Sequence, residues 1–203
     1  GASTPLSVPT DMSYGADVLG FSRAPDSQRV ALNYQMVALL APELQSVRLD
    51  GTDRQTLYTQ GADGAISFIE VSPDSQWALF NVGQAQRLYR APMAGGSAVA
   101  LDALNAPVFT GDGQRLIALD YDTYVSGDDP YDLVSVGLED LSLRNLTRLE
   151  TGAEIRSWTP VAADGETLAY LVRHTNGAEM RYEIRITDGA AAPYRLHLPL
   201  VRK

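Results

Sequence analysis

The residues best able to do chemistry are five aspartates crowded into one stretch: Asp120, Asp122, Asp128, Asp129 and Asp132. Calcium takes six to eight oxygen ligands, and closely spaced carboxylates on one loop can supply several of them. The spacing does not match an EF-hand loop, so a solvated acidic loop is the competing reading. The expectation is no cofactor, with calcium at this loop the alternative. Tyr121, Tyr124 and Tyr131 interleave with these acids. Tyrosine buries area at low entropy cost, so the same loop also reads as a contact surface. Beyond it the catalytic inventory is thin. The chain has two histidines, His174 and His197. The first is expected in a solvated loop between strands, and the second alternates with Leu196 and Leu198 as on the outward side of an edge strand. There is no Gly-x-Ser-x-Gly elbow, no His-Glu-x-x-His and no glycine-rich phosphate loop. The expectation is a chain that is not an enzyme.

Composition removes further classes. The 203 residues carry 25 acidic and 16 basic side chains, a formal charge of −9, which repels phosphate backbones and excludes nucleic acid as a partner. No apolar run approaches the roughly 18–20 residues that span a bilayer. Cysteine is absent, which removes disulfides, thiolate metal sites and cysteine nucleophiles together. The chain starts Gly-Ala-Ser, without methionine, as expected of a processed or excised piece, and an extracytoplasmic home (periplasmic, cell-surface or secreted) is the expectation.

The elements that position these residues announce themselves by repetition. Asp26, Asp74, Asp112 and Asp164 each stand in the same short pattern: aspartate, Ser or Gly, Gln or Glu, one variable residue, then three apolar positions. They recur at roughly one unit per 40–50 residues, the spacing of stacked structural repeats. The pattern encodes a hairpin. Proline at 25 and 73 presets φ at the first corner, the aspartate accepts from backbone N–H groups just beyond it, and glycine at 113 and 165 tolerates positive φ. Ser27 and Ser75 stand where glycine is expected, so those two turns should be strained or of another type. After each turn come a buried strand, an alternating strand ending in a polar turn, and a short further strand: Arg54–Tyr58, Ala98–Leu101, Leu143–Leu149 and Tyr194–Leu200. Four antiparallel strands per unit is the plan of a propeller blade, and no helical periodicity competes with it.

Val71-Ser72-Pro73-Asp74, followed by Trp77-Ala-Leu-Phe80, Leu88-Tyr89-Arg90 and Gly95-Gly96, resembles the TolB-type WD40-like (PD40) repeat. Asp164-Gly165, Leu168-Ala-Tyr170 and Asp188-Gly189 keep the same marks in the fourth unit. The first unit departs by lacking the glycine and the third by lacking the proline. The resemblance covers residues 14–200. It implies an all-β propeller filling residues 1–203 as one domain, with blades at about 14–60, 64–103, 104–149 and 153–200. Such propellers usually close with six to eight blades. Four therefore imply a small closed ring, a half-ring that self-associates, or a segment of something longer.

Two segments are candidate contacts. Met36, Val37, Leu39 and Leu40 belong to a nearly unbroken apolar run, a patch unless covered or a longer second strand. Residues 1–13 read as an extended edge strand carrying Pro5, Leu6 and Val8, able to complete the last blade or to add to a neighbouring copy. The expected function is a non-enzymatic protein-interaction or assembly module, with a protein partner or copies of itself. The propeller of a larger enzyme, such as a prolyl-oligopeptidase-like peptidase, and a calcium- or ligand-binding propeller are the alternatives.

Overall fold

A computed structural model describes residues 16–36, 43–61, 64–101, 104–120, 132–150, 152–160, 167–176, 179–187 and 194–197. They form sixteen strands and, among the described residues, no helix. The strands group into four four-stranded antiparallel sheets, each a plain meander. Sheet one holds β1 (Ala16–Arg23), β2 (Arg29–Met36), β3 (Glu43–Arg48) and β4 (Gln55–Thr59). Sheet two holds β5 (Ile66–Val71), β6 (Trp77–Val82), β7 (Arg87–Pro92) and β8 (Val99–Ala100). Sheet three holds β9 (Leu104–Phe109), β10 (Arg115–Asp120), β11 (Asp132–Gly137) and β12 (Leu143–Asn145). Sheet four holds β13 (Ala153–Pro160), β14 (Leu168–Asn176), β15 (Glu179–Thr187) and β16 (Tyr194–His197). The fourth strands of sheets two and three are shorter than expected, two and three residues long. His174 lies inside β14, not in a loop.

The chain divides into two compact units, Gly1–Asp102 and Ala103–Lys203, each of two sheets. In the first, Ala31, Leu44 and Leu57 of sheet one pack against Ile66, Val71, Ala78, Phe80 and Ala91 of sheet two. Strand alternation selects these residues, because Ala31 and Leu44 share one face while Val30, Leu32 and Val47 share the other. Tyr58, Phe80 and Tyr89 form an aromatic triangle within this core, with centroids 5.3–5.7 Å apart. In the second unit, Ile117, Leu133 and Leu146 pack against Ala153, Ile155, Leu168, Tyr170 and Val172.

Three of the four turn aspartates are described, and all three close the same turn. The Oδ1 of Asp26, Asp74 and Asp112 accepts the backbone N–H two residues on, at 2.8, 3.1 and 3.0 Å. Asp164 lies outside the described residues. The third turn residue is left-handed in each, φ being 61° at Ser27, 63° at Ser75 and 74° at Gly113. The serine turns therefore do not change type; they place serine where glycine would fit without strain. Sheets two and three add a second hydroxyl bond to the aspartate, from Ser72 (2.5 Å) and Thr110 (2.6 Å). Ala24 occupies that position in sheet one and contributes none.

Candidate functional site

Each first strand, an edge of its sheet, carries one extra residue. The register slips between Val18 and Gly20 in β1, between Ser67 and Ile69 in β5, opposite Ile117 and Leu119 in β9, and between Ile155 and Ser157 in β13. A bulge bends the edge away from pairing and re-aims the side chain it carries. Leu19 and Phe68 are consequently 51% and 47% exposed, and Ala106 and Arg156 are exposed as well. Phe68 and Ala106 adopt φ of 47° and 48°. For a bulky residue such as Phe68 this costs roughly 1–3 kcal/mol, a cost that concentrates at functional positions. Two residues on, the half-buried Glu70 has a carboxyl held above the usual range by burial. Nothing in the sequence marked these bulges, since an added residue leaves apolar alternation readable on either side of it.

The hairpin ends of the sheets hold fixed cations. Arg29 Nε donates to Ser46 Oγ at 2.6 Å, and its Nη1 meets Asp53 Oδ2 at 2.6 Å. Arg115 Nε donates to Ser135 Oγ at 2.6 Å from the same register position. Sheet two exchanges the partners: Trp77 takes the arginine's place, and Arg90, replacing the serine, lies 4.5 Å over its ring. A shallow cleft of about 190 Å³ beside these residues is lined in part by Asp26, Arg29, Arg48 and Ser75.

Of the five clustered aspartates, Asp120 and Asp132 are described, and they sit directly opposite one another on β10 and β11. The Oδ1 of Asp132 accepts from Thr147 Oγ1 (2.7 Å) and Leu149 N (2.9 Å), and its Oδ2 from Asn145 Nδ2 (2.6 Å). That carboxylate therefore straps the segment leading to sheet four. Asp122, Asp128, Asp129, Tyr121, Tyr124 and Tyr131 lie outside the described residues, as do Pro5, Leu6, Val8, Val37, Leu39 and Leu40. Met36 is the last residue of β2. Among the described residues no three His, Cys, Asp or Glu side chains gather as metal ligands do.

The strap ends at Glu150, where an unanticipated charge network begins. Arg185, 1% exposed, donates from two nitrogens to Glu150 (2.6 and 3.1 Å) and to Glu183 Oε2 at 3.0 Å. His174 Nε2 lies 3.0 Å from the same Glu183 oxygen. The bonds from Arg185 hold the Glu150 carboxyl down at about 2. The sequence signal pointed the other way: Tyr182, Ile184 and Ile186 alternate with Glu183, Arg185 and Thr187, yet the polar set takes the face that β15 buries.

No protein-family model matches the chain, and no curated protein does. Solved structures do match in fold. Oligogalacturonate lyase from Vibrio parahaemolyticus aligns with 91% of this chain and 54% of its own, at 12% identity and a TM-score of 0.54. A puromycin hydrolase aligns with 85% of this chain and 30% of its own, at 16% identity and 0.51. A TolB protein of Agrobacterium tumefaciens aligns with 89% of this chain and 61% of its own, at 14% identity and 0.42. The chain thus spans less than two thirds of the length of each. Its fold is that of a β-propeller built from four-stranded antiparallel blades.

Proposed function

We propose that this chain is a non-enzymatic, extracytoplasmic propeller module of the TolB-like type that binds protein partners and associates with copies of itself. The bulged first strands carry the reading: every blade turns a side chain out of its edge, and two of these, Leu19 and Phe68, are large and apolar. Outward bulges defeat strand addition at that edge and favour side-chain recognition instead. The absence of cysteine and the repeat resemblance support the location. Self-association is assigned to the N-terminal segment with Pro5, Leu6 and Val8. Size-exclusion chromatography with light scattering tests it. The expected result is a concentration-dependent oligomer that falls to monomer when residues 1–10 are deleted, and a strict monomer in both forms overturns it.

The second reading is the propeller of a larger enzyme. It draws on the puromycin hydrolase, of whose chain the matched portion is 30%. Sequencing the reading frame beyond Lys203 decides it, because a hydrolase sequence there favours this reading over the first.

A further inference from the structure

The outward face of sheet four is apolar where the open face of an antiparallel sheet is normally polar. On β15 the buried alternation holds Glu183, Arg185 and Thr187. On the other, Met180, Tyr182 and Ile186 are 52%, 36% and 40% exposed, and Ile184 is half-buried. Leu171 and Ala169 of β14 stand opposite Ile184 and Ile186 and widen the stripe. Arg173, opposite Tyr182, ends it at a polar margin, where Glu154 is paired with both Arg173 and Arg156. A one-residue slip of β15 could bury the stripe only by pulling Arg185 and Glu183 out of their ion pairs, so the arrangement is fixed. Elsewhere the inner strands have both alternations covered: Leu79 and Phe80 of β6, and Leu116 and Ile117 of β10, are fully buried.

Within each unit, the element that covers an apolar sheet face is another four-stranded sheet. The bulge in β13 closes that edge to strand addition, so an occupant packs face-on. At ~3.4 Å per residue and ~4.8 Å between strands, a sheet whose longest strands have nine residues presents about 500 Å² in plan, and two facing copies bury about 1,000 Å². That is the lower bound of a specific interface, so this face adds to another contact and does not hold a dimer alone. Copies of a chain carrying −9 repel one another. This face lets them approach, because its described charges, Arg156 and Arg173 around Glu154, carry no negative excess and the remainder is apolar. We propose that the outward face of sheet four packs against the same face of a second copy about a two-fold axis. This rests on the self-association reading and supplies the second surface that acts together with the N-terminal segment.

The test is light scattering of the full chain across concentration, with Tyr182→Glu, Ile186→Glu and, as a control on the exposed turn of sheet two, Gln84→Glu. Each of the first two should raise the dimer dissociation constant at least tenfold, and the control should leave it unchanged. Added salt should tighten the wild-type dimer severalfold by screening the repulsion between copies. A second arm does not depend on how the glutamate variants fold. The chain has no cysteine, so a single introduced thiol reports its own neighbourhood. Under mild oxidation Ile184→Cys should form a disulfide-linked dimer at least tenfold faster than Gln84→Cys. Equal cross-linking by the two, or a dimer as tight in Tyr182→Glu and Ile186→Glu as in wild type, would overturn the proposal. A dimer lost on deleting residues 1–10 but kept by the face variants sinks this surface alone. A dimer lost in the face variants but kept after the deletion sinks the N-terminal assignment and leaves sheet four as the contact. A strict monomer throughout sinks both.

Discussion

Both units pack sheet on sheet through an apolar core, but the second adds a buried ion network to it. In the first, sheet meets sheet through Phe80, Tyr58 and Tyr89, an apolar and aromatic core in which Phe80 is fully buried. In the second, the buried face of β15 contributes Arg185 and Glu183, at 1% and 2% exposure, beside Tyr170 and Val172. Meander and turn are shared, so the difference isolates what core chemistry does to stability. Burial of apolar area is non-directional and indifferent to pH. A buried ion network holds only while every member stays charged and bonded, because desolvation consumes most of its Coulombic gain.

The largest effects should come from breaking each core in its own way. Arg185→Met leaves Glu183 buried without its cation and should cost about 3–5 kcal/mol in urea denaturation; adding Glu183→Leu should restore most of that. Phe80→Ala should cost a similar ~3–5 kcal/mol through transfer and cavity terms, and no second substitution of one neighbour should rescue it. The contrast collapses if the Arg185→Met/Glu183→Leu pair is as unstable as Arg185→Met alone.

Acid should separate the units next. The Glu150 carboxyl lies at about 2 in the folded chain against 4.5 for the free side chain. A depressed folded value means that its contribution is complete above about 4.5 and is lost as pH falls toward 2. Tryptophan fluorescence of Trp158, in the second unit, should therefore report unfolding in this window, and Glu150→Gln should flatten that limb. The penalty of Phe80→Ala should not vary across it. Glu70 runs the other way. Its folded value is raised by burial, so its contribution worsens as pH climbs from about 4.5, and Glu70→Gln should stabilise the chain at pH 7 but not in acid.

The smaller predictions concern the turns. Ser72→Ala removes bonds to Asp74 Oδ1 and to Trp77 N–H and should cost about 1 kcal/mol. Ala24→Ser at the equivalent place should recover part of that amount in sheet one, if its buried site admits the hydroxyl. Ser27→Gly should stabilise by a few tenths up to about 1 kcal/mol by relieving a left-handed serine. Ser75→Gly should gain less, because Ser75 Oγ also accepts the Asp26 N–H at 3.0 Å and ties sheet one to sheet two. Thermal melts of the four variants check the order.

The turns were legible because their chemistry is local: an aspartate and the N–H two residues on lie within one corner, so residue type and spacing suffice. The strand alternation was equally legible, and with it the four-sheet plan. His174 was misplaced because one histidine after a valine and an arginine reads as the end of a strand, and only the pairing of β14 with β15 carries the strand through to Asn176. The bulges were invisible for a related reason: register belongs to two strands at once, and one sequence segment does not state its partner's.

What the amino-acid order determined alone is the repeating hairpin, the strand periodicity and hence the all-β class, since these follow from φ preferences and side-chain alternation within a few residues. What only the tertiary structure decided is which polar groups meet: Glu150 with Arg185 across 35 positions of chain, and His174 with Glu183. Burial and the distance between charges are properties of packed sheets, and the buried ion network depends on both.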